Sequence, residues 1–168
     1  MNIFFLDNNP QTAAHMMHDK HVVKMILESA QMLCTAYHEA GYTKDIPYKK
    51  AYVNHPMTIW TRTSSANFSW LIQHSLELCK IYTEWRDRTH KTEQVIRWCD
   101  NNKHELSIFN DPQNLLTQRP KCMPDAYKSQ SVVESYLLYY ITEKIKPNSA
   151  WTDRPRPDLF IYDRLTKQ

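Results

Sequence analysis

Four polar side chains, His21, Lys24, Glu28 and Gln31, follow one another at spacings of three, four and three residues in an otherwise apolar stretch. On an α-helix, residues three and four positions apart share a face, so the four side chains are predicted to form one narrow polar stripe. An imidazole, an amine and a carboxylate are groups that general acid–base catalysis uses. The stripe either faces solvent, which requires no function, or lines a cleft in which these groups do chemistry.

Three histidines, His15, His18 and His21, lead into the stripe at intervals of three residues. Each helical residue is rotated by about 100°, so the third histidine lies roughly 120° from the first and one zinc ion cannot easily take all three. The sequence contains neither a C-x-x-C pair nor an H-E-x-x-H motif. We therefore expect no metal and no cofactor, and we expect His18 and His21, beside Asp19, to bind phosphate or move protons.

A second polar cluster follows a lysine-bearing loop. Its members are Tyr52, Asn54, His55, Trp60, Arg62, Ser64, Ser65 and Asn67. Asn54 as a helix N-cap and Trp60 as a core residue need no function. Arg62, Ser65 and Asn67 bring a cation, a hydroxyl and an amide to the start of a helix, where the positive dipole end favours a phosphate.

A third group of candidates lies in a proline-rich segment, residues 111–125, and just after it. Arg119, Tyr127 and Lys128 are the side chains of this group that suit a nucleic-acid ligand. Loops of this kind often carry function, although a solvated basic turn is the simpler interpretation.

The elements that must position these residues are predicted to be helices. Gly41 is the only glycine among 168 residues, which argues against β-hairpins and for an all-α fold. Asn9 and Pro10 predict a helix start and Gly41 its end, with a possible interruption near His18 and Asp19. Further helices are expected at about 57–86, 92–101 and 131–146. Residues 1–6 could form a short strand or an extended segment.

The chain is therefore expected to be one domain, 1–168, folded as a compact helical bundle. We predict two long helices, a shorter third and fourth helix, and an irregular C-terminal tail that wraps over the bundle. The four cysteines are widely spaced and are expected to be reduced thiols. The net charge of +3 permits an anionic partner. No apolar stretch approaches the length of a membrane span, so we expect a cytoplasmic protein without membrane contact.

Two resemblances emerge from these motifs. Three features carry the first one: an early helix with histidine and acidic residues, a lysine-bearing loop, and Tyr-x-Asn-His-Pro-x-x-x-Trp at 52–60. Over about residues 10–90, the chain with these features resembles the pyrimidine-dimer DNA glycosylases of the phage endonuclease V type. The chain is also similar to a group of small proteins encoded by phages and large viruses. Asp19-Lys20-His21-Val22-Val23-Lys24-Met25 and Met123-Pro124-x-x-Tyr127-Lys128 mark that group.

The glycosylase resemblance implies a reaction. Such enzymes attack the sugar carbon with a free N-terminal amine after Met removal, and a carboxylate on the first helix stabilises the developing positive charge. Here Asn2 follows Met1, and its side chain is too large for efficient Met removal, so an amine at residue 2 is not expected. Lys24, or a water molecule activated by Glu28 or Asp19, would act as the nucleophile instead.

Three functions remain open at this point. The leading hypothesis is a DNA-base-processing enzyme, which cuts the N-glycosidic bond of a damaged or modified base in duplex DNA. Glu28 or Asp19 would stabilise the sugar cation, and His21 and Lys24 would handle protons or phosphate. The alternatives are a non-catalytic binder of nucleotides or nucleic acid, such as a phage counter-defence factor, and a helical interaction module with a solvated stripe.

The substrate contacts of the leading hypothesis follow from the same clusters. Arg62, Arg119 and Lys128 would hold the DNA backbone, and a base drawn out of the stack would rest on Trp60 or Tyr127. The remaining candidates for binding are His18, Asn54, His55, Ser65 and Asn67. An active site is expected if Glu28 and Lys24 face Arg62 and Asn67 across one cleft.

Overall fold

The secondary structure is helical, with no strand in the part of the chain that the computed structural model describes, residues 1–159. The six α-helices are α1 Pro10–Met16, α2 Asp19–Glu39, α3 Pro56–Thr61, α4 Ser65–Arg86, α5 Glu93–Asn102 and α6 Val132–Tyr139. The prediction of an all-α bundle with two long helices and an irregular C-terminal tail is confirmed. No helix within these residues is both long and apolar enough to cross a membrane.

The predicted first helix is interrupted where the sequence indicated. Asn9 caps α1 by accepting a hydrogen bond of 2.9 Å from the backbone N–H of Thr12, and Gly41 follows α2 with a φ of +74°. Between them, Met17 and His18 have extended backbones. The break is stable because tertiary partners satisfy the freed groups. The backbone N–H of His18, for example, donates to the hydroxyl of Tyr140 over 3.2 Å.

The second predicted helix, residues 57–86, is wrong as a single element because the structure divides it into α3 and α4. Ser64 has an extended backbone, and its hydroxyl accepts a hydrogen bond from the N–H of Asn67, so it starts a new helix. Asn54 is also not the N-cap of α3. His55 takes that position, with Nδ1 accepting from the N–H of Met57 over 3.2 Å.

The core forms around α2, which contacts α3, α4 and α5. The apolar segment 3–6 runs through this core, with Phe5 and Leu6 completely buried. It is neither a strand nor an extended segment, because Phe4 has a φ of +58° and the N–H of Leu6 donates to the carbonyl of Phe4 over 2.8 Å. The ring of Phe5 packs edge-on against Trp60 and Trp70, with centroids 5.0 Å away in each case. Burial of a side chain of this size contributes about 1.5–3 kcal/mol, so the N-terminal segment is an integral part of the bundle.

The last helix is shorter than predicted and ends in a π-helical turn, Tyr140–Lys144. The tail then crosses the break between α1 and α2. There, the indole N–H of Trp151 donates to the carbonyl of Met16 over 3.2 Å. The rest of the tail that is predicted to wrap over the bundle, residues 160–168, lies outside the described residues. All four cysteines are free thiols, as predicted, and Cys122 is only partly buried.

Candidate functional site

The polar stripe of α2 meets the first residues of the chain at Glu28. Glu28 Oε2 accepts a hydrogen bond of 3.1 Å from the backbone N–H of Asn2 and lies 3.9 Å from the Met1 amine. Oε1 lies 3.5 Å from Lys24 Nζ. The Glu28 side chain is only 12% exposed, whereas that of Lys24 is 63% exposed. A largely buried carboxylate therefore stands between two amines.

The first two residues are fixed by contacts on both sides. The Asn2 side-chain amide donates to the carbonyl of Cys122 over 2.9 Å, and the Met1 side chain is 1% exposed. The hydroxyl of Thr58 lies 3.4 Å from the Met1 sulfur. Since α3 and the segment around Cys122 both hold the chain here, the Met1 amine has a defined position beside Glu28.

A cleft of about 230 Å³ opens beside this carboxylate. It is lined by Met1, Asn2, Phe4, His21, Lys24, Met25, Glu28, Cys122, Tyr139 and Lys144. Lys144 Nζ lies 4.7 Å from the centre of the Tyr139 ring. The lysine at each side and the terminal amine outnumber the one carboxylate, so the cleft favours an anionic ligand with an apolar part.

His21 lies within a stack of rings at one wall of this cleft. Its ring is nearly parallel to that of Phe4, 4.9 Å away, and stacks on His18 at 4.2 Å. Burial lowers the pKa of His21 to about 3, with further contributions from His18, Lys24 and Lys144. His21 is therefore a neutral imidazole at physiological pH.

The tautomer of His21 follows from its contact with Tyr140. The Tyr140 hydroxyl already accepts from the N–H of His18 and lies 2.9 Å from His21 Nδ1. Tyr140 is fully buried, and burial raises its pKa, so its hydroxyl keeps its proton and donates it to Nδ1. The remaining proton of the imidazole must then be on Nε2, and His21 offers the cleft an N–H donor.

Asp19 lies on the opposite side of α2 from Glu28, because nine residues on a helix correspond to a rotation of about 180°. Its carboxylate accepts hydrogen bonds of 3.0 Å from Arg154 Nη2 and 2.7 Å from the hydroxyl of Thr152. The side chains of Asp19 and Arg154 are 9% and 8% exposed. The structure therefore separates Asp19 from the cleft and gives it the tail as its partner.

Arg62 and Trp60 also lie away from the cleft. Arg62 donates to the carbonyl of Val53 over 2.9 Å and lies 3.8 Å from the carboxylate of Glu39. Trp60 is 3% exposed and packs on Phe5 in the core. Because no face of its ring is open, Trp60 cannot be the platform for an extruded base that the sequence indicated.

Asn67 and Ser65 fasten the proline-rich loop. Asn67 is completely buried, and its amide donates to the carbonyl of Trp60 and the hydroxyl of Thr117 over 2.8 and 2.6 Å. Ser65 donates to the side chain of Asn114 over 2.7 Å. The expected cleft between Glu28 and these residues is therefore absent from the described structure, and Glu28 faces the chain's first residues instead.

His55 caps α3, the helix whose Thr58 contacts the Met1 sulfur. Burial lowers the pKa of His55, the Met1 amine lowers it further, and Glu28 opposes the shift. Asn54, by contrast, is exposed to solvent.

The three candidates near the proline-rich segment are dispersed. Arg119 Nη2 donates to the side chain of Asn8 over 2.5 Å, and Lys128 pairs with Asp125 at 2.7 Å. Tyr127 donates its hydroxyl proton to Glu143, and its ring lies 5.3 Å from that of Tyr139. Of the three, Tyr127 alone packs against a residue that lines the cleft.

Sequence reasoning missed several residues of the cleft, namely Met1, Asn2, Phe4, Cys122, Tyr139 and Lys144. They come from distant segments and form no motif with fixed spacing. The apolar run at the N-terminus could have indicated them, because a buried N-terminal segment must pack against a helix of the bundle. Within residues 1–159, no three His, Cys, Asp or Glu side chains form a group that could hold a metal ion.

Comparison with known proteins bears on this arrangement of a helix carboxylate beside the chain's first residues. No curated protein and no solved structure matches the chain. A family model described as pyrimidine dimer DNA glycosylase matches residues 1–97, which include Met1, His21, Lys24, Glu28 and His55. Because the match covers more than half of the 168 residues, the chain belongs to the pyrimidine dimer DNA glycosylase family.

Proposed function

We propose that the protein is a DNA glycosylase that removes pyrimidine dimers or other damaged or modified bases from duplex DNA, with Glu28 and the Met1 amine as its catalytic pair. The observation that carries the proposal is the buried position of Glu28 beside this amine, at 3.9 Å. A carboxylate of this kind stabilises positive charge on a sugar, and an amine at that distance is a nucleophile for the same carbon.

The Met1 amine is a better nucleophile than Lys24 because its position is fixed. The Met1 side chain is 1% exposed and anchored, whereas that of Lys24 is 63% exposed, and fixed geometry lowers the barrier to attack.

The bond changes follow from this geometry. The neutral amine attacks C1′, the C1′–N bond breaks, and its electron pair leaves with the base, which takes a proton from solvent. Glu28 accepts the proton that the new C1′ ammonium loses and passes it to O4′ as the sugar ring opens. The product is a protonated imine between Met1 and the sugar.

The other cleft residues have roles that suit this substrate. The Nε2–H of His21 donates to a carbonyl of the departing base, and because His21 is neutral, this donor is present throughout the physiological pH range. Lys24 and Lys144 bind phosphates that flank the target nucleotide. The ring of Tyr139 provides an apolar face for the base.

The test is incubation with duplexes that carry pyrimidine dimers or modified bases, in the presence of borohydride. Cleavage of the N-glycosidic bond and a protein–DNA adduct are expected, and peptide mapping of the adduct should place it on Met1. A single modified base is released as the free base, whereas a dimerised pyrimidine stays joined to its neighbour, so its cleavage is measured as an alkali-labile site in the strand. The intact mass of the purified protein checks that Met1 carries the free amine. An adduct on Lys24 would overturn the assignment of the nucleophile, and no glycosidic cleavage in any substrate would overturn the proposed function.

Glu28→Gln separates an enzyme from a binder. The substitution should abolish base release while the dissociation constant for the same duplex changes by less than about threefold, since a neutral amide keeps the shape of the site. A non-catalytic binder would show no base release in the wild-type protein either.

A further inference from the structure

The hydroxyl of Thr58 has an unusual partner. Thr58 lies in the first turn of α3 and is completely buried. Later in the same helix, the hydroxyl of Thr61 donates to the carbonyl of Met57, four residues earlier, over 2.9 Å, which is a common bond for a helical threonine. The residue four positions before Thr58 is Asn54, which precedes α3 and its N-cap. The Thr58 hydroxyl donates instead to Met1 Sδ over 3.4 Å.

Met1 has its side chain inside the protein and its amine at the cleft. The side chain is 1% exposed, whereas the residue as a whole is partly exposed and lines the cleft. The exposed part of Met1 must then be its backbone, which carries the amine. Because only a few bonds separate the sulfur from the amine, the position of the sulfur restricts where the amine can lie.

Methionine suits this buried position better than other apolar residues do. Its unbranched side chain fills irregular spaces, and its sulfur is a weak hydrogen-bond acceptor. A leucine side chain of similar size has no acceptor, so it would leave the completely buried hydroxyl of Thr58 without this bond, which is unfavourable. The surroundings of the Met1 side chain therefore match a chain whose first residue is a retained methionine.

Asn2 fixes Met1 from the other side. Its backbone N–H donates to Glu28 Oε2, and its side-chain amide donates to the carbonyl of Cys122. The oxygen of the same side chain accepts from the N–H of Ile3 over 2.9 Å. The Met1 amine thus lies between two anchored points, the sulfur at one end of the residue and the peptide bond to Asn2 at the other.

We propose that Thr58 is a positioning residue: by holding the Met1 sulfur, it fixes the Met1 amine at the distance and direction from Glu28 that attack on the sugar requires. This inference rests on the proposed function. Thr58 does not line the cleft, so it acts on the reaction through Met1. A displacement of reacting groups by about 1 Å can lower a rate by about a hundredfold, so the loss of one such anchor is measurable.

The first test is a double-mutant cycle between Thr58 and Met1, with a lesion duplex as substrate. Thr58→Val removes the hydroxyl at nearly constant volume. It should lower the single-turnover rate of the borohydride-trapped adduct by about tenfold to a hundredfold, while the dissociation constant for the duplex changes by less than about twofold. Thr58→Ser keeps a hydroxyl and should retain most of the rate. Met1→Leu, made with a carrier protein whose removal leaves a free amine on residue 1, should lower the rate to a similar extent.

The cycle separates positioning from a general effect on the fold. In the Met1→Leu background, Thr58→Val should change the rate by less than about twofold, because the sulfur that Thr58 holds is already absent. The matched control is Thr61→Val, which removes an equally buried hydroxyl of α3 that bonds to a carbonyl, and it should also change the rate by less than about twofold. Equal losses from Thr58→Val in both backgrounds, or no loss in either, would overturn the positioning role.

The second test does not depend on turnover. In NMR spectra of protein labelled with carbon-13 at the methionine methyl groups, Met1→Leu identifies the Met1 resonance, and Overhauser contacts between this methyl group and the Thr58 side chain are expected. Thr58→Val should shift the resonance, and Thr61→Val should leave it in place. If no substrate loses a glycosidic bond, the proposed function fails, but this measurement still decides whether Thr58 holds Met1. A Met1 methyl group without these contacts, or with the same resonance in Thr58→Val, would overturn the anchor.

Discussion

The backbone N–H of Asn2 donates a hydrogen bond of 3.1 Å to Glu28 Oε2. This bond joins the start of the chain to the middle of α2 and orients the carboxylate toward the Met1 amine. The Asn2 side chain extends the connection to Cys122, in a segment more than a hundred residues later. The position of the proposed nucleophile thus depends on three parts of the chain at once.

An extension before Met1 should therefore abolish activity. A short Gly-Ser segment that stays attached converts the Met1 amine into an amide, which is not a nucleophile, and its atoms would occupy the cleft. Base release and borohydride trapping are expected to fall at least a hundredfold. The same segment at the C-terminus is the control and should have little effect. Full activity of the N-terminally extended protein would show that Met1 does not react.

Lys144→Gln and Lys24→Gln should weaken DNA binding through the loss of one phosphate contact each. The slope of log K against log salt concentration should become shallower by about 0.9 per lysine. Fluorescence anisotropy with a lesion duplex at several salt concentrations measures this slope. Lys146→Gln is the matched control because Lys146 is exposed and does not line the cleft. An unchanged slope in Lys144→Gln would exclude the contact.

Tyr140→Phe should disturb His21 without changing its charge. Removal of the hydroxyl leaves Nδ1 of His21 without its donor, so the imidazole proton can move to Nδ1 and the N–H offered to the cleft is lost in part of the molecules. A fall in kcat of about tenfold is expected for the partial loss of one such donor. Nitrogen-15 NMR of the histidines reports the tautomer directly, and an unchanged Nε2–H tautomer would contradict the assignment.

The elements of this fold could largely be predicted from the sequence, because helix ends depend on local residues. Asn9, Gly41 and Ser131 each cap or follow a helix at the expected position. The break at Ser64 was missed since an N-cap serine inside an apolar pattern looks like an ordinary helical residue. The cap that forms there depends on the packing of Asn67 against Thr117, which is fifty residues away.

Only the part of the candidate site that lies on α2 could be predicted from the sequence, because the other part depends on contacts between distant segments. The stripe of His21, Lys24 and Glu28 follows from helical spacing, and the structure brings all three to one cleft. The opposite wall, with Tyr139 and Lys144, comes from a different helix, and no sequence pattern shows which helices meet. Arg62 and Asn67 were the expected partners because they are polar and near a helix start. Their side chains instead satisfy backbone groups within the fold.

Arg154→Met should destabilise the protein strongly although it lies outside the cleft. The change leaves the Asp19 carboxylate, 9% exposed, without its guanidinium partner, and breaking a buried ion pair on one side costs about 3–5 kcal/mol. Urea unfolding measures the loss. Arg156→Met is the control, because Arg156 is exposed and contacts the Trp151 ring at 5.1 Å, and it should cost about 1 kcal/mol or less. Equal effects of the two would refute the buried pair.

His74 should make the stability of the protein depend on pH. It is completely buried against Trp70, and burial lowers its pKa to about 3 from an ordinary value of 6.5. Between these two values, the unfolded chain binds a proton that the folded chain does not. The free energy of unfolding therefore falls as pH decreases below 6.5, by about 1.4 kcal/mol per pH unit for this one group.

His74→Leu should remove this dependence. Neither ring nitrogen of His74 has a hydrogen-bond partner within residues 1–159, so an apolar side chain of similar size loses no bond there and should not destabilise the protein at pH 7. Between pH 7 and pH 4.5, the wild-type protein should lose about 3 kcal/mol more stability than the variant. Urea unfolding at both pH values measures the difference, to which the other titrating groups contribute equally in the two proteins. Parallel losses would mean that His74 takes up its proton in the folded state near its ordinary pKa, which its complete burial argues against.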